Sequence, residues 1–184
     1  WDDYADDWDK NEGVIIYAKH TFETLRAEID MSGLDILDFG CGTGNLAVQM
    51  AETANQVVGI DTSEKMISIL KAKKISNIRA FNLALSSGSL PGKFDLITAS
   101  SVFGFMPDFD KTLSILKDFL KPGGMLVQWD WLAPDESSDV GFSRARLEKA
   151  YRQSGFTDFE ITQPFSLKKT DGEMKVIMCV ASIP

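Results

Sequence analysis

Between Ile36 and Asn45 an apolar stretch runs into three glycines at alternate positions, Gly40, Gly42 and Gly44, with Asp38 just ahead of the first. Glycines so spaced let a chain turn tightly and bring its backbone close to a ligand, at the carboxyl end of a strand where open α/β sheets bind. A second apolar run, Val57-Val58-Gly59-Ile60, ends in Asp61, 17 residues after Gly44. A carboxylate is an acceptor-only group, so one at that place can take both hydroxyls of a ribose. The two features together predict a nucleoside pocket. The dinucleotide fingerprint G-x-G-x-x-G would need its third glycine at position 45, which is Asn45; the chain reads G-x-G-x-G instead.

The elements that must position these residues follow from periodicity. Val14, Ile15, Ala18, Phe22, Leu25 and Ile29 recur at helical spacing and predict an amphipathic helix. Strands are expected at 35–39, 57–60, 78–81, 94–99 and 125–132. Helices are expected from Gly44 to Glu52, from a Ser63 cap to Lys74, and over Phe109, Leu113, Leu116 and Leu120, where Lys121-Pro122-Gly123-Gly124 should stop the last. A further helix is expected from a Ser143 cap to Gly155, with Leu147, Ala150 and Tyr151 on one face. Two final strands, 156–167 and 174–183, should be joined by a turn at Thr170-Asp171-Gly172 and pair antiparallel. Strands alternating with helices predict an α/β fold: a doubly wound, mainly parallel, seven-stranded sheet with an antiparallel C-terminal edge hairpin.

Composition bounds the rest. The 184 residues are 44% hydrophobic and 25% charged, enough for one globular domain that buries roughly 70% of the unfolded chain's surface. Expected subdivisions are an N-terminal helical lid (1–32), a cofactor-binding core (33–132) and a C-terminal helix with a strand hairpin (133–184). The net charge of −8 argues against a nucleic-acid partner, yet residues 1–12 alone hold six acids against Lys10, leaving −3 for the remainder. Cys41 and Cys179 have no metal-ligand or C-x-x-C spacing and are expected to be free thiols, with no metal bound. No run approaches a membrane helix and no signal peptide is evident, so a cytoplasmic, soluble protein is expected. The chain opens on Trp1 rather than Met, so a trimmed or longer start is expected.

The segment from Asp38 to Gly44 resembles motif I of the class I S-adenosylmethionine-dependent methyltransferases, D/E-x-G-x-G-x-G. The resemblance continues in order through Asp61-Thr62-Ser63-Glu64-Lys65-Met66, Lys93-Phe94-Asp95-Leu96-Ile97 and Leu120-Lys121-Pro122-Gly123-Gly124, covering about half of the chain. It implies a Rossmann-like sheet, an S-adenosyl-L-methionine cofactor and a small-molecule methyl acceptor. By the same likeness, the backbone of Gly40, Cys41 and Gly42 faces the methionyl and ribose parts, and Asp38 stands near the ammonium. Asp61 holds the ribose hydroxyls, Met66 packs on the adenine, and the Leu83 amide meets the base. Thr62 and Ser100 complete the set. Carboxylates and aromatic rings suit an ammonium and a sulfonium, through charge pairing and cation–π attraction.

Two departures stand out. The family commonly has Asp at the end of its third strand, where this chain has Asn82, whose amide can both accept and donate. Many relatives carry histidine after the fourth strand, where this chain reads Ser100-Ser101-Val102-Phe103-Gly104-Phe105-Met106. Methyl transfer is an in-line displacement at an already activated carbon, so a base is needed only if the nucleophile must lose a proton. Tyr4, Tyr17, His20, Asp108 and Asp130 have suitable side chains, no motif singles one out, and the catalytic residue stays unassigned. Trp1, Tyr4, Ala5 and Trp8 share one face if the N-terminus is helical, either as a lid or as a stripe packed on the body with a solvated acidic back. Two rival functions remain, a cofactor-binding but non-catalytic partner subunit and a nicotinamide-dependent oxidoreductase. The oligomeric state is not legible.

Overall fold

The structure is a computed structural model and describes every residue except 87–89, 91, 136, 137, 139, 170 and 171. The chain divides into two compact units, Trp1–Ala84 and Leu85–Pro184.

In the first unit, β1 (Asp35–Phe39), β2 (Gln56–Asp61) and β3 (Ile78–Asn82) pair in parallel in the order β3-β2-β1. Ile36, Leu37, Val57, Val58 and Ile60 are all buried, as expected of strands covered on both faces, where apolar residues run on without alternation. A short 3₁₀ turn (Asp2–Tyr4) leads into α1 (Ala5–Trp8), α2 (Glu12–Glu28), α3 (Asn45–Met50) and α4 (Glu64–Ala72). Polar caps set two of these starts. The Asn11 side chain accepts from the N–H groups of Gly13 and Val14, and Ser63 Oγ accepts from the Met66 N–H, as expected at position 63. The buried side of α2 carries Tyr17, Ala18, Thr21 and Leu25, whereas Ile15, expected on the apolar face, is 47% exposed. Burial of a threonine and a tyrosine rotates the docked face away from the one hydropathy alone marks out.

In the second unit, β4 (Phe94–Ser100) runs parallel to β5 (Leu120–Trp131). α5 (Phe109–Asp118) connects them, and α6 (Arg144–Gln153) follows, capped by Ser143 as expected. β6 (Asp158–Thr162), β7 (Ser166–Lys169) and β8 (Gly172–Ser182) complete the unit in the order β4-β5-β8-β6, with β7 also on β8. β8 is antiparallel to all three of its partners.

The expected α/β class with an antiparallel C-terminal end is borne out, with eight strands among the described residues rather than seven. The extra one arises because the run 156–167 breaks into β6 and β7 around Pro164, which has no N–H for a ladder. Most of the expected turn, Thr170 and Asp171, lies outside the described residues. Lys121-Pro122-Gly123-Gly124 does not end the helix: α5 stops at Asp118, and the segment forms the start of β5. There the register shifts between the pairs Phe94↔Leu120 and Leu96↔Met125, and Gly123 takes φ +74°, so the glycines absorb extra residues in the strand.

Candidate functional site

Nine of the ten residues expected at the cofactor belong to the first unit; Ser100 ends β4 in the second. The glycine turn folds back on β2. The N–H groups of Gly40 and Cys41 both donate to the Ile60 carbonyl, at 2.9 and 3.1 Å, and Gly44 N–H donates to the Cys41 carbonyl at 2.9 Å. Gly44 caps α3 at φ +86°, and a Cβ there would lie 2.3 Å from Leu70 Cδ1, so both backbone and packing require glycine.

The Asp61 carboxylate is held by two backbone donors, Gly42 N–H to Oδ2 at 2.9 Å and Ser63 N–H to Oδ1 at 2.8 Å. One strand-end acid thereby ties the glycine turn to the start of α4. Each oxygen has a second lone pair, so this grip leaves acceptor capacity for ribose hydroxyls. Thr62 is exposed beside it, and Met66 is buried. A methyl group placed on Gly42 would come 3.8 Å from Trp8 Nε1 and 4.0 Å from the Met66 sulfur, so the two side chains converge over the turn. At the end of β3, Asn82 Nδ2 and the Leu83 N–H both donate to the Asp61 carbonyl, at 3.1 and 2.9 Å. The Leu83 amide, expected to meet the base, is thus bonded within the chain.

Asp38 is buried in the middle of β1's closing stretch. Cys41 packs with Ile67, Leu70 and Ala80, and its sulfur occupies the space that a side chain on Gly59 would need, 2.8 Å from a Cβ built there. Burial pushes its thiol well above the ordinary range, and the charges of Asp38 and Asp61 add to the effect. That environment suits packing and opposes nucleophilic attack.

The N-terminal segment docks beside the glycine turn through its acids, which periodicity places off the Trp1, Tyr4, Ala5 and Trp8 face. Asp2 accepts from the Ser63 hydroxyl and from Lys65 N–H, and Asp9 accepts from the Thr43 hydroxyl while pairing with Lys73 Nζ at 2.9 Å. Ala5 is buried, yet Trp1 and Tyr4 are half or more exposed. The Ser63 and Lys65 bonds hold the Asp2 carboxyl below its ordinary value. Burial would raise that of Asp9, but the Thr43 and Lys73 contacts outweigh it and the net shift is downward. No hydropathy signal marks such anchors, because a lone acid in an acidic run looks the same whether solvated or bonded.

Among the other candidate bases, Tyr17 is buried on α2, and His20 Nδ1 lies 3.2 Å from Glu23 Oε2 on the same helix. Asp108 precedes α5. Asp130, near the end of β5, is buried, with Oδ1 accepting from Gly104 N–H at 3.2 Å and Oδ2 from Gln128 Nε2 at 2.9 Å. Among the described residues, no group of His, Cys, Asp or Glu is placed to hold a metal, and no helix is long and apolar enough to cross a membrane.

A family model described as a methyltransferase domain matches residues 37–126, from β1 through the start of β5. The chain belongs to the class I S-adenosylmethionine-dependent methyltransferase family. It is 33% identical over 135 residues to a demethylmenaquinone methyltransferase of Lactococcus lactis, covering 67% of this chain and 53% of the relative. A trans-aconitate 2-methyltransferase of Deinococcus radiodurans is 30% identical over 126 residues, 67% of this chain and 48% of its own. The chain thus spans about half the length of the curated relatives it matches. Among solved structures, the fold is shared with magnesium protoporphyrin IX methyltransferase from Synechocystis PCC 6803 with bound S-adenosylmethionine. That likeness has a TM-score of 0.69 at 21% identity, covering 91% of this chain and 79% of the other.

Proposed function

We propose that the chain acts as one methyltransferase domain that binds S-adenosyl-L-methionine and transfers its methyl group to a small-molecule acceptor. The observation that carries this reading is the Asp61 carboxylate, fixed by Gly42 N–H and Ser63 N–H at the end of β2 beside the glycine turn. An acceptor-only group so held fits the two hydroxyls of a ribose. Asp38 supplies negative charge for the ammonium, and the Gly40-Cys41-Gly42 backbone lines the methionyl and ribose portion. Met66, Thr62, Leu83 and Asn82 surround the adenine, with Asn82 accepting through its oxygen because its nitrogen donates to Asp61.

When bound, the cofactor supplies a methyl carbon activated by positive sulfur. The chain's part is to orient that carbon and exclude water, with Trp8 and the acids of residues 1–9 closing over the glycine turn as a lid. The relatives act, by their names, on acceptors as different as demethylmenaquinone and trans-aconitate, which supports a small molecule and leaves its identity to experiment.

The test is calorimetric titration with S-adenosylhomocysteine, followed by incubation with S-adenosylmethionine and a metabolite mixture. Binding with S-adenosylhomocysteine release supports the reading. Binding without release from any mixture points to a non-catalytic partner subunit, and stabilisation by nicotinamide cofactors instead points to an oxidoreductase.

A further inference from the structure

Asp130 is the buried acid for which the cofactor assignment has no use, and its surroundings form a continuous chain of polar groups inside the second unit. Gln128 and Asp130 are two apart on β5 and so face the same side. Asp130 Oδ1 accepts from Gly104 N–H, Oδ2 accepts from Gln128 Nε2, and Gln128 Oε1 accepts from the Tyr151 hydroxyl at 2.9 Å. Cys179 on β8 lies next along, close enough to Tyr151 for each to shift the other's titration. Gln128, Tyr151 and Cys179 are completely buried.

Gly104 lies in the 3₁₀ turn Phe103–Phe105 that follows β4. Phe103 is buried and meets Phe109 edge-on with ring centroids 4.9 Å apart, while Phe105 is 60% exposed. Ser101, whose N–H donates to the Trp129 carbonyl at 2.7 Å, takes φ +54°, so the chain leaves β4 through a strained residue. Such a turn needs external anchors, and Asp130 supplies one at its centre.

We propose that Asp130 is a positioning residue for the acceptor side of the reaction, which fixes the Phe103–Phe105 turn through Gly104 N–H, firmly as a carboxylate and loosely as the acid. This rests on the methyltransferase reading, in which the turn beyond the carboxyl end of β4 borders the acceptor.

A hydrogen bond to an ionised acceptor is roughly twice as strong as one to a neutral acceptor, so the grip on Gly104 follows the charge on Asp130. The polar chain can serve both forms. With Asp130 ionised, the bonds run as observed. With a proton on Oδ2, a half-turn of the Gln128 amide lets Oε1 accept that hydrogen bond and Nε2 donate to the Tyr151 oxygen. The Asp130–Gln128 and Gln128–Tyr151 links persist in both forms, so one can be exchanged for the other by rotating a single amide.

Burial raises the Asp130 carboxyl to about 7, against the opposing pull of Gln128, Gly104 and Arg146. The titratable or charged groups that face it are Arg146 and Tyr151 on α6 and, beyond Tyr151, Cys179 on β8. Burial raises the last two well away from neutrality, so within the neutral range Asp130 alone titrates.

The test is a nuclear magnetic resonance titration of the full chain, with and without S-adenosylhomocysteine, across the neutral range. The Asp130 carboxyl carbon and the Gly104 amide should titrate together near the raised value, and Asp130→Asn should leave the Gly104 amide flat. The carboxyl carbon of the unaltered protein gives a readout even if the variant folds poorly. With the acceptor identified by product release, kcat/KM for the acceptor should fall several-fold on acidification in the wild type and stay level in Asp130→Asn. Affinity for S-adenosylhomocysteine should be unchanged. A Gly104 amide that ignores Asp130, or one that titrates while acceptor kinetics do not, overturns the proposal. Failure to bind S-adenosylhomocysteine would instead remove the methyltransferase reading, and the Gly104 titration would still decide whether Asp130 holds the turn.

Discussion

Gly42 N–H donates to Asp61 Oδ2 at 2.9 Å, joining residues 19 apart in sequence. The acid that would hold a ribose thus also shapes the glycine turn against which that ribose would lie. Binding energy and loop geometry are therefore coupled at Asp61, and removing the carboxylate damages both.

Substituting Asp61→Ala is expected to weaken S-adenosylhomocysteine binding by about tenfold to a hundredfold, the effect of losing one charged hydrogen bond of about 1.5–3 kcal/mol. Asp61→Asn should bind poorly too, since its NH₂ must face a backbone donor, Gly42 N–H or Ser63 N–H. Calorimetry on the three proteins checks this.

Gly44→Ala is expected to destabilise the fold by about 2 kcal/mol or more, through an unfavourable left-handed φ and collision with Leu70. Combining it with Leu70→Ala removes the collision but not the backbone strain. The double variant should therefore lie below the sum of the single effects in urea unfolding.

The lowered carboxyls of Asp2 and Asp9 predict acid-labile docking of the N-terminal segment. Their folded values lie below the unfolded value of 3.8, so the stability they contribute is present above that pH and is lost as pH falls through the folded values. Tryptophan emission should report release of the segment carrying Trp8 below about pH 4. Asp9→Asn, which removes the ion pair with Lys73, should shift release toward neutral pH.

Asp130 has the opposite sign. Its folded value is raised from 3.8 to about 7, so within that window the native state keeps a proton that the unfolded chain has lost, and stability falls as pH rises. At about pH 8, Asp130→Asn should be more stable than the wild type by about 2–4 kcal/mol, and near pH 4 the two should match. Urea midpoints at the two pH values measure this.

Both thiols are expected to be inert in the folded protein. Burial raises Cys41 well above its ordinary value and Cys179 to about 12, so neither holds appreciable thiolate at neutral pH. A thiol reagent should label no cysteine natively and two after denaturation.

The glycine turn and its acid were legible because their demands fall on residue type at fixed spacing. Only glycine suits Gly44, only an acceptor suits Asp61, and both sit where a strand pattern ends, so β1, β2 and their turns are written in the sequence itself. The roles of Asp2, Asp9 and Asp130 could not. Each depends on a partner far along the chain, Ser63, Thr43 or Gly104, and neither periodicity nor spacing encodes such contacts. The split into β6 and β7 was obscured for a different reason: both lie along one long strand, β8, so the apolar pattern continues through the break at Pro164.

The proposed reaction is methyl transfer from a cofactor seated on Asp61. Its most direct measurement is mass-spectrometric detection of S-adenosylhomocysteine after incubation with S-adenosylmethionine and a metabolite mixture, for the wild type and Asp61→Ala side by side. Acceptor-dependent product is expected from the wild type, with at least a tenfold loss in the variant. Product formed equally by both proteins, or no cofactor binding by the wild type, would contradict it.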